Sequence, residues 1–396
     1  MNKKITLGTS IALIIFAALI AFTATYMVLN KAYQDRMDKY LKYTDMYEKL
    51  YNFDNIVKSE YIGDIDDSSV MDGILSGYMD GLGDKYGMYY SAEEYADYVM
   101  QMSGKKVGIG VTVQYDEATQ SIEVIGVSAG SPAAGAGIAE GDRIVSVGEL
   151  TVEKDGYSTV VDAISGNEGE SVSLSVLKKD TGVVSELKLV RAVVSYSSVS
   201  SRVYDGYIGI VQISEFNHNT ADEFKKAVNE LKKSGIAAFI FDVRNNLGGD
   251  LDAICEVLDY ILPEGKIVTL VDSDGNEKTI SSDKNCLEGQ ICVLTNKYTA
   301  SAAELFSAAI RDYKYGTLVG TVTYGKGTAQ TVKKFPDNSG LRLSTEMYMP
   351  PCGVNYEGVG VTPDVEVEYK AGENGAEDSQ MTAAIEIIDN NTEEQP

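Results

Sequence analysis

The N-terminal sequence restricts the fold more than any other feature of the chain. Residues 5–29 contain no charged side chain, and about 20 apolar residues already suffice to cross a bilayer as a helix. Because a backbone in hydrocarbon must satisfy its own hydrogen bonds, such a segment can only be helical there. Lys3 and Lys4 precede it, so the positive-inside rule places the N-terminus in the cytoplasm. The sequence therefore predicts a single-pass cell-membrane protein whose soluble part is extracytoplasmic.

A cleaved signal peptide is the alternative for this segment. Residues 21–25 offer a loose small-residue cleavage site, and cleavage there would release a secreted protein. The uncharged run exceeds the apolar region of an ordinary signal peptide, and this length favours an uncleaved anchor.

Composition excludes several classes of function. The formal net charge is −25, which is unsuited to nucleic acid because phosphate contacts need clustered lysine and arginine. The chain has one histidine, His218, so a zinc site built on two or three histidines is excluded, and a histidine-dependent hydrolase would have to use this residue. Cys255 and Cys292 lie in apolar runs typical of buried thiols, while a bridge between Cys286 and Cys292 stays open.

The soluble part divides into regions of different periodicity, and 396 residues suggest two or three domains. After the stub and anchor of residues 1–30, residues 31–105 place apolar and aromatic side chains at helical spacing, which indicates core packing or the seam of a homodimer. Residues 106–191 form a β-rich module, residues 192–372 an α/β core, and residues 373–396 a polar tail with a short amphipathic helix. In the core we predict strands at 207–214, 236–243, 267–271, 291–295 and 317–321, and helices at 220–233, 250–261 and 300–313.

Two segments of the β-rich module resemble a bacterial PDZ domain. Residues 131–144 read SPAAGAGIAEGDRI, and upstream stand Gly108, Ile109, Gly110 and Val111. Glycines let backbone N–H groups approach a peptide carboxylate without obstruction. The resemblance implies that a peptide adds as a strand beside this loop, with its last apolar side chain in a pocket. The alternative is that these glycines only form turns.

Two segments of the α/β core end in helix N-termini. Residues 241–250 read FDVRNNLGGD, so a buried strand leads into a Gly248–Gly249 turn whose N–H groups can donate to a developing oxyanion. Residues 299–304 read TASAAE, which places Ser301 in the first turn of a helix where the N–H of Ala302 lacks a partner. Taken alone, the first segment is more typical of a plain strand-to-helix turn, and the second of a helix cap formed by Thr299 or Ser301.

A third segment places Lys326 between Gly325 and Gly327. It nearly matches a phosphate-binding loop, but Gly327 stands where serine or threonine is required and a strand follows instead of a helix, so we reject a nucleotide site. Burial in an apolar site lowers a lysine pKa, and the neutral amine can then take the proton of a serine hydroxyl. The amide oxygen of Gln330 could hold that amine in place.

Taken in order, these segments resemble the C-terminal processing peptidases, the tail-specific proteases that use a Ser-Lys dyad. The resemblance implies that Ser301 is the nucleophile, Lys326 the general base and Gln330 its partner. It implies an oxyanion site made of N–H groups from Ala302 and the Gly248–Gly249 turn. It also implies an α/β crotonase-like core, a spiral of ββα units, with an inserted PDZ domain, and neither metal nor organic cofactor.

The implied function is a membrane-anchored serine endopeptidase of the cell envelope that cleaves proteins near their C-termini. Its PDZ domain would recognise substrates with free apolar C-termini and gate the active site. One alternative is a non-catalytic PDZ peptide-binding scaffold on a crotonase-like core, which predicts loss of Ser301 or Lys326, and both are present. A protease that uses His218 as base is disfavoured, because this residue lies beside a predicted helix cap.

Overall fold

The computed structural model describes residues 7–116, 119, 121–372 and 376–393, which fall into two units, residues 1–73 and 74–396. The first unit is dominated by α1 (Leu7–Glu60). No proline occurs in this helix and its one glycine is Gly8, so nothing interrupts it. Its segment Leu13–Gln34 has a mean hydropathy of 2.1 and none of it is buried, so it is long and apolar enough to cross a membrane. The predicted N-terminal helix is confirmed, but it continues past residue 30 to Glu60.

The region predicted as helical up to residue 105 also contains a strand. After α2 (Asp67–Leu82) the chain forms β1 (Met88–Tyr90) and then α3 (Ala92–Met102). Ser91 begins α3 with a capping box, because its side chain accepts from the N–H of Glu94 while the Glu94 carboxylate accepts from the N–H of Ser91.

The β-rich module is an antiparallel sheet with its own core. Its sheet has the order β3-β4-β5-β7-β8 with β6 on β5, while β2 and β9 pair where the chain enters and leaves the module. Alternating side chains such as Ile122, Val124, Leu174 and Val176 point into the interior, as the period of two in the sequence predicts. The elements are β2 (Lys105–Gly108), β3 (Val111–Asp116), β4 (Ser121–Val127), α4 (Pro132–Gly135), β5 (Arg143–Val147), β6 (Leu150–Thr151), α5 (Val152–Asp155), α6 (Tyr157–Asp162), β7 (Ser171–Leu177), β8 (Val184–Val190) and β9 (Ala192–Ser195).

The α/β core contains two sheets. One has the order β10-β11-β12-β15-β16-β19 and is parallel from β11 onward; the other has the order β1-β18-β13-β14, is antiparallel, and carries β17 on β18. The elements are β10 (Val199–Tyr204), β11 (Ile208–Ile213), α7 (Thr220–Lys233), β12 (Ala238–Asp242), α8 (Leu251–Ile261), β13 (Gly265–Asp272), β14 (Glu277–Ser282), β15 (Gln290–Thr295), α9 (Ala302–Asp312), β16 (Thr317–Gly320), β17 (Thr328–Lys334), β18 (Gly340–Met349), β19 (Val365–Glu366) and α10 (Ser379–Glu393). The predicted strands and helices of the core are confirmed within about two residues at each end.

The C-terminal tail is part of the core. Helix α10 buries Met381, Ala384, Ile385 and Ile388 against residues of β11, β12, β15 and β16. Arg244, which follows β12, donates to both carboxylate oxygens of Asp378 just before this helix, at 2.9 Å each. The short amphipathic helix predicted for the tail is therefore confirmed, since it lies within α10 and packs its apolar side chains on the core sheet.

Cys255, Cys286, Cys292 and Cys352 are all free thiols, so the bridge between Cys286 and Cys292 that the sequence left open does not form. Cys292 lies inside β15, where its thiol faces the carbonyl oxygen of Ala384 in α10.

Candidate active site

The three core segments singled out in the sequence meet at one cleft of about 700 Å³. Its wall includes the predicted residues Ser301, Lys326 and Gln330 and the Gly248–Gly249 turn. Further lining side chains come from β1, α3, β17 and β18.

Ser301 stands in a conformation that few residues other than glycine adopt. It directly precedes α9 with φ 57° and ψ −118°, in a region that costs about 1–3 kcal/mol for a residue with a side chain. Neighbouring Ala300 and Ala302 are small and buried. Strain held in place by the surrounding packing is typical of functional turns, and here it fixes the direction of one hydroxyl.

Gly248 lies directly against this turn. A Cβ built on Gly248 would come within 2.7 Å of Ser301 Cβ and 2.9 Å of the Ala302 nitrogen, so only glycine fits. The N–H of Gly248, however, donates to Asn246 Oδ1 at 2.8 Å, which removes one of the predicted oxyanion donors. Among the described residues, no hydrogen-bond acceptor takes the N–H of Gly249 or of Ala302. These two groups are the donors that the geometry leaves for an oxyanion.

Glu304 joins the serine turn to the lysine loop and was missed as a functional residue. Its carboxylate is fully buried; Oε2 accepts from the N–H groups of Ser301 (2.9 Å) and Lys326 (2.8 Å). Oε1 accepts from the Thr323 hydroxyl (2.5 Å) and the Gly325 N–H (2.6 Å). Burial raises the pKa of Glu304, and these four donors act in the opposite direction. The spacing of Ser301 and Glu304 matches a helix capping box, which was the available sequence signal.

Lys326 has the environment of a base. Burial lowers the pKa of Lys326 to about 8, and the positive charge of nearby Arg342 lowers it as well. The carboxylates of Glu357, Asp84 and Glu304 act in the opposite direction and raise it. Its amine lies over the ring of Tyr86, 4.7 Å from the centroid.

No hydrogen bond joins the Lys326 amine to Ser301 within the described residues. Such bonds are often long in ligand-free sites and tighten when substrate binds.

The side-chain amide nitrogen of Gln330 is held by hydrogen bonds to neighbouring residues. Its Nε2 donates to the carbonyl and hydroxyl of Thr328, at 3.0 and 3.1 Å, and to the Ser344 hydroxyl at 3.2 Å. The amide oxygen is left as the end that an amine could use.

His218 lies outside the residues that line the cleft. Its side chain is 56% exposed and its Nε2 is 3.7 Å from an Asp250 carboxylate oxygen. Among the described residues, no hydrogen bond joins His218 to Ser301.

The backbone of the predicted peptide-binding loop is constrained by close packing at Gly110. Gly110 has φ 81°, and a Cβ there would come within 2.3 Å of Ser131 Cβ, so glycine is required. The Ile109 side chain is buried in the core of the module. Val111 begins β3, the end strand of its sheet, so this strand has an open edge.

Comparisons with known proteins agree with this arrangement. Residues 207–367 match the model of peptidase family S41, and residues 123–178 match that of a PDZ domain. The chain is similar to the carboxy-terminal processing protease CtpA of Bacillus subtilis (29% identity; 83% of this chain and 74% of that protein) and to a probable CtpA-like serine protease of Staphylococcus aureus strain COL (29%; 92% and 72%). A solved structure of a putative S41 protease from Bacteroides fragilis has the same fold (17% identity, TM-score 0.54; 84% and 98% covered).

The fold and the matches define a PDZ-containing serine peptidase of the carboxy-terminal processing class, whose residues 207–367 form an S41 peptidase domain. The prediction of an enzyme of this class is confirmed.

Proposed function

We propose that this peptidase cleaves proteins near their C-termini with Ser301 as nucleophile and Lys326 as general base. The observation that carries the proposal is the buried Glu304 carboxylate, which binds the backbone of both residues and so holds them on one cleft. A lysine whose pKa lies near 8 is neutral in a substantial fraction of molecules at mildly alkaline pH.

In the proposed reaction the Lys326 amine takes the proton of Ser301 Oγ as Oγ attacks the scissile carbonyl carbon. The N–H groups of Ala302 and Gly249 donate to the oxyanion that forms. When the C–N bond breaks, Lys326 returns the proton to the leaving amine, and Gln330 holds the lysine in place. Water then attacks the acyl-enzyme with Lys326 again as base, which restores the Ser301 hydroxyl.

The PDZ module supplies tail recognition in this proposal. The open edge of β3 suits a substrate that adds as a strand, with its carboxylate at the loop from Gly108 to Val111. We expect free, apolar C-termini to be favoured.

Contacts that the two segments flanking the PDZ module make with the core support gating. Met102 O accepts from the N–H of His218 at the entry to the module, and the Tyr196 hydroxyl donates to Glu215 at the exit. Between these two sites lies Phe216, whose N–H donates to Gly248 O at 2.9 Å. Movement of the module would therefore act on the turn that carries the oxyanion donor.

We further infer that the core is crotonase-like, that α1 anchors the chain in the cell membrane and that the peptidase acts outside the cytoplasm. The length and hydropathy of Leu13–Gln34 support the anchor, although a signal sequence has the same properties. Exposed apolar side chains on α1 beyond this segment, such as Tyr47, Tyr51 and Phe53, suit a homodimer seam. Protease added to wall-stripped cells should digest the domain that contains Ser301. If that domain were protected until the membrane is broken, it would lie on the cytoplasmic side and the proposed topology would be wrong.

The test of the chemistry is peptide hydrolysis by variants of the full-length protein. S301A and K326A should lose activity while they keep the thermal midpoint expected of a folded chain, and H218A should keep most of it. Activity in S301A, or its loss in H218A with K326A active, would contradict the proposal. Peptides with an amidated C-terminus should show a raised KM relative to the free acid, because the loop then loses a charged partner.

A further inference from the structure

The chain segment just before β1 contacts the proposed base, although it precedes the PDZ module in the sequence. Strand β1 pairs antiparallel with β18, with Met88 opposite Arg342. The Arg342 side chain also holds the segment before this strand, because its Nε donates to Tyr86 O at 3.0 Å. The ring of Tyr86 lies against the Lys326 amine, 4.7 Å from ring centroid to nitrogen. The N-terminal region therefore supplies part of the surroundings of the lysine.

Asp84, in the same segment, binds Ser344 of β18 through both carboxylate oxygens. Oδ2 accepts from the N–H of Ser344 at 2.8 Å, and Oδ1 accepts from the Ser344 hydroxyl at 2.9 Å. Oδ1 also accepts from the N–H of Tyr86 at 3.1 Å. Burial raises the pKa of Asp84, but these hydrogen bonds outweigh it and the pKa lies below its ordinary value. The carboxylate is therefore ionised at neutral pH.

This carboxylate determines the direction of the Ser344 hydroxyl. An ionised carboxylate can only accept, so the single hydroxyl proton of Ser344 must point at Asp84. The Ser344 oxygen is then an acceptor, and Gln330 Nε2 donates to it at 3.2 Å. The other proton of this amide nitrogen goes to Thr328 O at 3.0 Å. With both N–H bonds used, the amide oxygen of Gln330 is the group left for the Lys326 amine.

We propose that Asp84 is a positioning residue of the active site: through the Ser344 hydroxyl it fixes the amide of Gln330. That amide in turn holds the Lys326 amine for proton transfer, so the inference rests on the proposed roles of Lys326 and Gln330. Asp84 itself contacts no reacting atom. Its effect on the rate should therefore require both the Ser344 hydroxyl and the Gln330 amide.

A direct effect of charge is the alternative. The carboxylates of Glu357, Asp84 and Glu304 raise the pKa of Lys326, which burial and the charge of Arg342 lower. If Asp84 acted only through its charge, D84N would move the pH midpoint of activity downward and leave kcat on the alkaline plateau nearly unchanged. Removal of the neutral hydroxyl next to it would then have no effect on kcat.

The test is a double-mutant cycle on kcat at the alkaline plateau in the full-length protein. We measure kcat and KM for a peptide substrate in D84N, S344A and Q330M and in the two double variants that contain Q330M. D84N and S344A should each lower kcat by about 10-fold and leave KM in place, as loss of a hydrogen bond in a charge-assisted chain implies. In the Q330M background, where no amide remains to be positioned, neither should lower kcat by more than about 2-fold. Ser344→Thr keeps the hydroxyl and should keep most of the activity.

The next residue on β18 offers a matched control. The Thr345 hydroxyl forms a hydrogen bond of 2.7 Å with that of Thr331 on β17, so it also joins these two strands. Neither residue lines the active-site cleft. Thr345→Val removes one hydroxyl with little change of shape and should match the parent in kcat and KM.

Parental kcat in S344A, full additivity of its loss with that of Q330M, or an equal loss in T345V would each overturn the positioning role of Asp84. If D84N does not fold, S344A, S344T and the cycle with Q330M still decide the matter. Parental kcat in Q330M would overturn the inference through the role of Gln330. Activity in S301A would instead overturn the proposed function, whatever the variants of Asp84 and Ser344 do.

Discussion

Replacement of Glu304 by glutamine should weaken both folding and catalysis, because no orientation of an amide satisfies the donors around this carboxylate. Two donors face each oxygen. With the amide nitrogen at the Oε2 end, the N–H groups of Ser301 and Lys326 both lose their acceptor. With it at the Oε1 end, the Thr323 hydroxyl can turn to accept, and only the N–H of Gly325 is left unpaired.

The second orientation costs less free energy, so it determines how far the substitution lowers the stability of the protein. One unpaired buried N–H costs about 1–3 kcal/mol. The two bonds that remain, from the N–H groups of Ser301 and Lys326 to the amide oxygen, lose their charge assistance, which makes them roughly half as strong. The relief from burying a charge offsets part of this loss. We expect E304Q to lower the free energy of unfolding by about 2–4 kcal/mol. Because the amide holds Ser301 and Lys326 less tightly and leaves the neighbouring Gly325 N–H unpaired, we also expect kcat to fall by at least about 10-fold.

Urea denaturation of the full-length protein in detergent, with peptide hydrolysis on the same samples, measures both effects. The control is Glu256→Gln on α8, where the carboxylate is 60% exposed and pairs with Lys225 at 3.3 Å; a change of at most about 0.5 kcal/mol is expected there. If E304Q were as stable and as active as the parent, Glu304 would not hold the two segments together and the account of the site would be wrong.

Other predictions concern charge. Because the base must be neutral and the pKa of Lys326 is lowered to about 8, kcat/KM should rise with pH through about 8 and level off above it; a flat profile from pH 6 to 9 would contradict this. Since the same lysine is near 10.4 in the unfolded chain, its burial opposes folding below pH 8, and this cost fades as pH rises from 8 to about 10.5. K326M should therefore be inactive yet more stable than the parent at pH 7, by as much as about 3 kcal/mol. Equal or lower stability would show that burial of the charged lysine does not destabilise the folded protein. Asp378→Asn weakens the pairing of buried Arg244 and should lower stability by about 1–3 kcal/mol, whereas Glu386→Gln at an exposed position of α10 should not. Equal effects of the two substitutions would show that the Arg244 contact does not contribute more than an exposed charge.

The regular elements of the core could be predicted because each is long and periodic. Helix α7 and strands β11, β12 and β15 were found from spacing alone, and their ends differ by two residues at most. Strand β1 was missed because it has only three residues and exists through pairing with Arg342, Leu341 and Gly340, some 250 positions away. Local sequence carries no signal for such a contact.

At the site, residue types were predictable but their partners were not. Ser301 and Lys326 could be singled out because small residues and glycines surround them. Glu304 looked like an ordinary capping residue, since only the folded chain brings Gly325 and Lys326 to its carboxylate. Gly248 was predicted as an oxyanion donor because the sequence shows the Gly-Gly turn but not the hydrogen bond from the Gly248 N–H to the Asn246 side chain.

Covalent labelling tests the central claim most directly. The full-length parent, K326M and H218A are treated with a fluorophosphonate at pH 9, and the modified residue and rate are determined by peptide mass spectrometry. The account predicts one adduct, on Ser301, formed at similar rates in the parent and H218A and at least about 100-fold more slowly in K326M, because general-base assistance contributes roughly 10²–10⁴-fold. An adduct on another residue, or labelling that survives in K326M and disappears in H218A, would contradict it.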